Sequence, residues 1–137
     1  MSTLLTEDAV SNESIFELFR SAFMRVELDD DGDVRVHTEN GPRIWVLVDS
    51  NRHHLRFLCS YRFDSEATEY QKMEFANKLN DTVVMVRFAI DGDSLVVDYY
   101  LSYEEGILPY HIVAGVRRMS KIVTSAIAEN DVQNIVL

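Results

Sequence analysis

The sequence predicts an α+β domain: one antiparallel sheet with helices, in the order helix, four strands, helix, two strands, helix. Three observations carry this reading. Apolar residues recur at intervals of three and four around residues 15–23 and again at 112–127, the period of a buried helix face. Between them lie runs rich in Val, Ile, Phe and Tyr, several of which alternate apolar and polar residues. Turn dipeptides separate these runs closely, and strands joined by tight turns must lie antiparallel.

The first helix is expected over about 12–24, with Ile15, Leu18, Phe19, Ala22 and Phe23 on one side and Ser11, Asn12 or Ser14 as its N-cap. The period then becomes two. Met24, Val26 and Leu28 alternate with Arg25, Glu27 and Asp29, and Asp30-Asp31-Gly32-Asp33 reads as a hairpin loop. Val34, Val36 and Thr38 continue as a second strand to the Asn40-Gly41 turn. Arg43–Asp49 is a third strand, apolar on both faces, and His54–Phe63 a fourth. A second helix is expected from Asp64 or Ser65 to about Asn80. Thr82–Ile90 is apolar at nearly every position, as a central strand covered on both faces would be. Asp91-Gly92 supplies a type I′ turn into the strand Ser94–Ser102. Pro109 suits the first turn of a last helix, where its missing N–H is not needed. Ile112, Val116, Met119, Val123 and Ile127 form its stripe, and Val116, Met119 and Val123 are expected to carry much of the core, with the first and last helices on one face of the sheet.

Length suits one domain, 1–137, with 1–11 and 129–137 as loosely attached tails. No run approaches the ~20 apolar residues of a membrane span. The first ten residues lack a basic stretch and a long apolar core, so they do not read as a secretory signal, and the cytoplasm is the expected location. The 23 acidic residues outweigh 13 Lys and Arg, and the pI is near 4.7; such a surface repels nucleic acid and anionic membranes. Arg117, Arg118 and Lys121 therefore read as a solvated helix face, with an anion or nucleic-acid site as the alternative that the net charge of −10 argues against.

No constellation of catalytic residues emerges. Asp29, Asp31 and Gly32 invite a calcium-loop reading, but placing Gly32 sixth puts Thr38 where a bidentate Glu is required, and the flanks are strands. His53 and His54 are adjacent on an extended chain and point to opposite faces. Cys59, the single cysteine, lies mid-strand between Phe57 and Tyr61, where burial raises a thiol pKa and suppresses reactivity. There is no Gly-rich phosphate loop. No catalytic residue, cofactor or metal ligand is assigned, and the chain is expected not to be an enzyme.

The stretch from Asn77 to Ile127 adds a resemblance. Asn77-Lys78-Leu79-Asn80 at the end of the second helix, the strand–turn–strand unit to Leu101-Ser102, and Gly106 opening the last helix resemble the YbjN-domain family, labelled as bacterial sensory transduction regulators. The resemblance implies a fold like that of type III secretion chaperones, small acidic cytoplasmic dimers that hold extended segments of client proteins. It implies no catalytic residues. Leu108-Pro109 departs from the family's habit of capping the last helix with Ser or Thr.

The functional expectation rests on the sheet's second face. On the parity opposite the presumed core lie Trp45, Leu47, Leu58, Val96 and Tyr100, with Arg56, Arg62 and Asp98 around them as a rim. Large apolar patches on soluble proteins mark interaction sites. Unless the second helix covers this face, it is expected to be a homodimer or peptide-binding surface centred on Trp45, in a chaperone-like or regulatory module that binds a protein client. The alternative is an enzyme or small-ligand-binding protein with an unrecognised pocket, which a concavity lined by His and carboxylates would favour.

Overall fold

The computed structural model describes residues 3–137. After a short 3₁₀ turn the elements are α1 (Asn12–Ser21), β1 (Arg25–Leu28), β2 (Val34–His37), β3 (Arg43–Asp49), β4 (His54–Arg62), α2 (Glu69–Thr82), β5 (Arg87–Asp91), β6 (Ser94–Ser102) and α3 (Pro109–Asn130). The six strands form one fully antiparallel sheet in the order β1-β2-β3-β4-β6-β5. Element order and class are those the sequence predicts.

Local chemistry explains the helix starts. The Ser11 hydroxyl accepts from the Ser14 N–H at 3.1 Å, while the Ser14 hydroxyl accepts from the Ser11 N–H at 2.9 Å. Thr68 and Gln71 repeat the arrangement at α2, with distances of 3.1 and 2.9 Å. This box sets the helix start at Glu69, later than the sequence suggests. Asp64 is used instead in a turn, its carboxylate accepting from the Glu66 N–H at 2.9 Å. Leu108 offers α3 no side-chain cap, and Pro109 occupies the first helical position.

Two further expectations are corrected. The stretch Thr82–Ile90 is not one central strand. Thr82 belongs to the last turn of α2, and Met85, at φ +80°, turns the chain before β5 begins at Arg87. β5 is an edge strand covered on one face: Phe88 is buried while Arg87 and Ala89 are exposed. The hairpin that follows centres on Gly92-Asp93, because Asp91 pairs with Ser94. Only Gly92, at φ +59°, is left-handed there, as suits a II′ rather than a I′ turn.

The core occupies one side of the sheet. Val34, Val36, Ile44, Val46, Leu55, Phe57, Leu95 and Val97 are fully buried on that face. Ile15 and Phe19 of α1, Phe75 and Leu79 of α2, and Ile112, Val116, Met119 and Val123 of α3 pack in the same cluster. Each such side chain contributes about 1.5–3 kcal/mol relative to exposure.

α2 lies along the β5 edge. The Asn80 side-chain amide donates to the Phe88 carbonyl at 2.8 Å, and its oxygen accepts from the Phe88 N–H at 2.9 Å. An otherwise open strand edge is thereby closed by a side chain. Lys72 is buried against Phe63 and bonds Glu69 and Asp93 at 3.2 Å, which ties α2 to the β5–β6 turn. The segments read as loose tails pair with the body. Leu5 exchanges backbone bonds of 2.8 and 2.9 Å with Ile107. The Asp64 N–H donates to the Ile135 carbonyl at 2.7 Å, and the Leu137 N–H to the Arg62 carbonyl at 2.9 Å.

Candidate functional site: the open face of the sheet

Among the described residues no helix covers the second face, where Trp45, Leu47, Leu58 and Val96 stay partly exposed and Tyr100 exposed, so α2 does not provide the cover that the sequence left open. Strand register sets the pattern. One row crosses the whole sheet: Glu27 (β1), Arg35 (β2), Trp45 (β3), Leu58 (β4), Asp98 (β6) and Arg87 (β5). The middle of the row is apolar and both ends are ion pairs. On the β1 side, the Arg35 guanidinium donates to the Glu27 carboxylate at 2.8 and 2.9 Å, and the same oxygen contacts His37 Nε2 at 2.6 Å. These contacts, that of His37 first, hold the Glu27 carboxyl below its ordinary pKa. Arg35 also lies over the Trp45 ring, 5.3 Å from its centroid.

On the other side Asp98 is buried, 2% exposed, between two arginines. Arg56 donates to it at 3.0 and 2.8 Å, and Arg87 does the same. Both guanidinium groups stand near the Tyr100 ring, at 5.8 and 5.9 Å.

Between the two ion-pair clusters is a depression of about 350 Å³. Trp45, Leu47, Leu58 and Val96 line it, joined by the carboxylates of Asp29, Asp33 and Asp91. The Trp45 indole N–H donates to Asp29 Oδ2 at 3.0 Å, which fixes the ring. Asp29 Oδ1 accepts from the Asp31 and Asp33 N–H groups, each at 2.9 Å. The Asp33 N–H, then the indole, hold the Asp29 carboxyl low. Burial, then Asp29 and Asp31, push the Asp33 carboxyl up.

Four of the sequence-predicted residues therefore converge: Trp45, Leu47, Leu58 and Val96. Tyr100 shares the face but stands with the arginines, outside the depression. Of the expected rim of Arg56, Arg62 and Asp98, only Arg56 and Asp98 stand together. Arg56 is neutralised by Asp98, and Arg62 sits at the far end of β4, opposite Ser94. The rim nearest Trp45 is acidic instead, supplied by turn residues whose approach depends on how the β1–β2 and β5–β6 hairpins bend.

The depression has no histidine. Cys59 reaches its floor but is itself buried, and burial pushes its thiol up to about 12, so it stays protonated as a small core hydrophobe. The adjacent histidines diverge, though not as neighbours on an extended chain: His53, in the turn before β4 at φ +56°, pairs with Glu7 at 3.0 Å, while His54, the first residue of β4, meets the Tyr100 ring edge-on at 5.9 Å. No helix among the described residues is long and apolar enough to cross a membrane.

The architecture is the one shared by type III secretion chaperones. A chain of the HopA1–SchA chaperone–effector complex superposes with a TM-score of 0.53 at 11% identity, over 82% of this chain and 86% of that one. A chain of the complex between the Yersinia pestis type III secretion chaperone SycH and a fragment of YscM2 does so with a TM-score of 0.52 at 11% identity, over 86% and 98%. The protein belongs to the YbjN family, whose model, described as "Putative bacterial sensory transduction regulator", matches residues 11–127. The crystal structure of YbjN from E. coli superposes with a TM-score of 0.76 at 15% identity, over 93% of this chain and 96% of that one. No curated protein matches the sequence.

Proposed function

We propose that the protein is a non-catalytic, chaperone-like or regulatory module that binds a polypeptide on the open face of its sheet, in the bacterial cytoplasm. The observation that carries this reading is the uncovered apolar strip at Trp45, Leu47, Leu58 and Val96, bounded on both sides by ion pairs that are already satisfied. Satisfied ion pairs around an apolar centre are the layout of an interface with a hydrophobic middle and a polar rim. The acidic groups beside Trp45 suit an apolar segment with Lys or Arg next to it. Structural relatives solved as complexes with protein partners support the class of activity. A homodimer closing over the same strip is the second occupant that this surface fits.

Trp45→Glu tests the reading. The half-buried ring is expected to act as a binding hot spot, so the variant should weaken self-association or client capture at least about 30-fold. Its far-ultraviolet circular dichroism should remain native. Sedimentation velocity reports the dimer, and mass spectrometry of pull-downs from the native host reports clients. Wild-type sedimentation together with an unchanged set of partners would refute the surface. Should Trp45→Glu unfold, Leu58→Glu in the same row repeats the test without breaking the indole–Asp29 bond.

A further inference from the structure

A second concavity lies where α1 passes into β1. It encloses about 650 Å³ and shares no lining residue with the depression on the open face. Its walls bring together Phe23 and Met24 from the turn after α1, Arg25 from β1, and Arg117 and Lys121 from α3. Three features set it apart.

The first is charge. In a chain of net charge −10, three cations gather here, and none of them makes an ion pair among the described residues. Glu39 is the one carboxylate on the lining. Clustered, uncompensated cations repel one another until an anion arrives. The second feature is Phe23. It occupies the left-handed position just after α1, at φ +62°, where glycine is the unstrained choice. Its side chain is 98% exposed. Neither backbone preference nor burial within this chain accounts for a phenylalanine there. The third is rigidity. The Ser120 hydroxyl, buried in α3, donates to Thr38 Oγ1 at 2.8 Å, and Thr38 in turn donates to the Pro42 carbonyl at 2.7 Å. A Cβ on Gly41 would stand 2.1 Å from Ser120 Oγ, so the β2–β3 turn is seated directly on α3 and the cleft is preformed.

We propose that this cleft binds an acidic polypeptide segment bearing an apolar residue. Its carboxylates meet Arg25, Arg117 and Lys121, and its apolar side chain packs on Phe23 and Met24. A small anion among the cations would leave Phe23 in water, whereas a polypeptide covers both. Nucleic acid is disfavoured by the strongly acidic remainder of the surface. The proposal does not depend on the open-face reading.

Titration of the full-length, ¹⁵N-labelled protein tests it, with a short peptide alternating Glu and Leu, its Lys–Leu counterpart, and inorganic phosphate as probes. The Glu–Leu peptide is expected to shift the amides of Phe23, Met24, Arg25, Thr38 and Asn40 saturably. Raised salt should weaken it, and the paired substitutions Arg117→Glu and Lys121→Glu should weaken it about tenfold or more while leaving circular dichroism unchanged. Phe23→Gly should raise the melting temperature by roughly a few degrees, because the strained position is relieved, and yet weaken the peptide. The proposal is overturned if no amide near the cleft moves, if the Lys–Leu peptide binds equally, if phosphate saturates the same amides with the same affinity, or if Phe23→Gly binds as tightly as wild type. A fall in melting temperature on Phe23→Gly also overturns it, by making Phe23 a structural residue. Shifts confined to Trp45 and Leu58 would remove the cleft and assign the peptide to the open face.

Discussion

Truncating Phe57 to alanine is expected to destabilise the fold by about 3–5 kcal/mol. Phe57 is fully buried in the middle of β4, between Val46 and Tyr99 in the sheet register. It meets the Tyr99 ring edge-on, with centroids 5.5 Å apart. On its other side is Gly115 of α3, where an added Cβ would lie 2.6 Å from Phe57 Cε2. The longest helix therefore rests its backbone on this ring. Removing the ring opens a void between helix and sheet that Gly115, with no side chain, cannot fill. Against a typical domain stability of about 5–15 kcal/mol, this is about a fifth of the total or more. Urea denaturation followed by circular dichroism measures it, and a loss below about 1 kcal/mol would contradict the packing described. The converse substitution sharpens the test. Gly115→Ala should cost about 1–3 kcal/mol by overpacking in the native background, and clearly less beside Phe57→Ala, where the new methyl has room.

Asp98→Ala is expected to cost about 2–4 kcal/mol. Removing one member of a buried ion pair typically costs about 3–5 kcal/mol, because the remaining charge is stranded. Here the stranded arginines reach water: the side chains of Arg56 and Arg87 are 32% and 63% exposed, so part of the loss is recovered by hydration. What remains is the loss of charge-assisted hydrogen bonds and the repulsion between two guanidinium groups on adjacent strands. Asp98→Asn should fall between wild type and alanine, since it keeps an acceptor but not the charge. Chemical denaturation at low and high salt checks the assignment. The loss should change little with salt, because buried pairs are poorly screened. A variant as stable as wild type would show that the two arginines do not depend on Asp98.

Much of the fold was legible because each buried element repeats its own period. Val34 and Val36 alternate with Arg35 and His37 as a half-covered strand should, and Ile112, Val116, Met119 and Val123 step around one helix face. The β5 error has a definite physical cause. Thr82-Val83-Val84 is β-branched, yet the last turn of α2 extends to Thr82, and Met85 takes a left-handed conformation that no local preference announces. Tertiary packing overrode propensity there. The apolar half of the candidate site was readable from strand parity alone. Its electrostatics were not, because Asp98 and Arg56 lie 42 residues apart in sequence and are joined only by the β4–β6 register. The cationic cleft was hidden for the same reason, with Arg25 far from Arg117 and Lys121 along the chain. Its one local signal was the cluster of Arg117, Arg118 and Lys121, whereas Phe23 reads by spacing as part of the first helix's apolar side and in the structure lies beyond α1, exposed.

The position of β6 between β4 and β5 has a consequence for how the chain folds. Each of the other neighbouring strand pairs is consecutive in sequence, whereas β4 and β6 pair along all nine residues with α2 and β5 threaded between them. A four-stranded meander and a separate hairpin can thus form early, and their junction must close a long loop before its contacts are gained. Substitutions at the seam, such as Val97→Ala, are expected to slow refolding in stopped-flow measurements, while Val36→Ala in the meander mainly speeds unfolding. Equal effects on the folding arm would place the barrier elsewhere. Until the seam closes, β4 and β6 both expose bare, apolar edges, so the half-joined chain is the species most prone to aggregate.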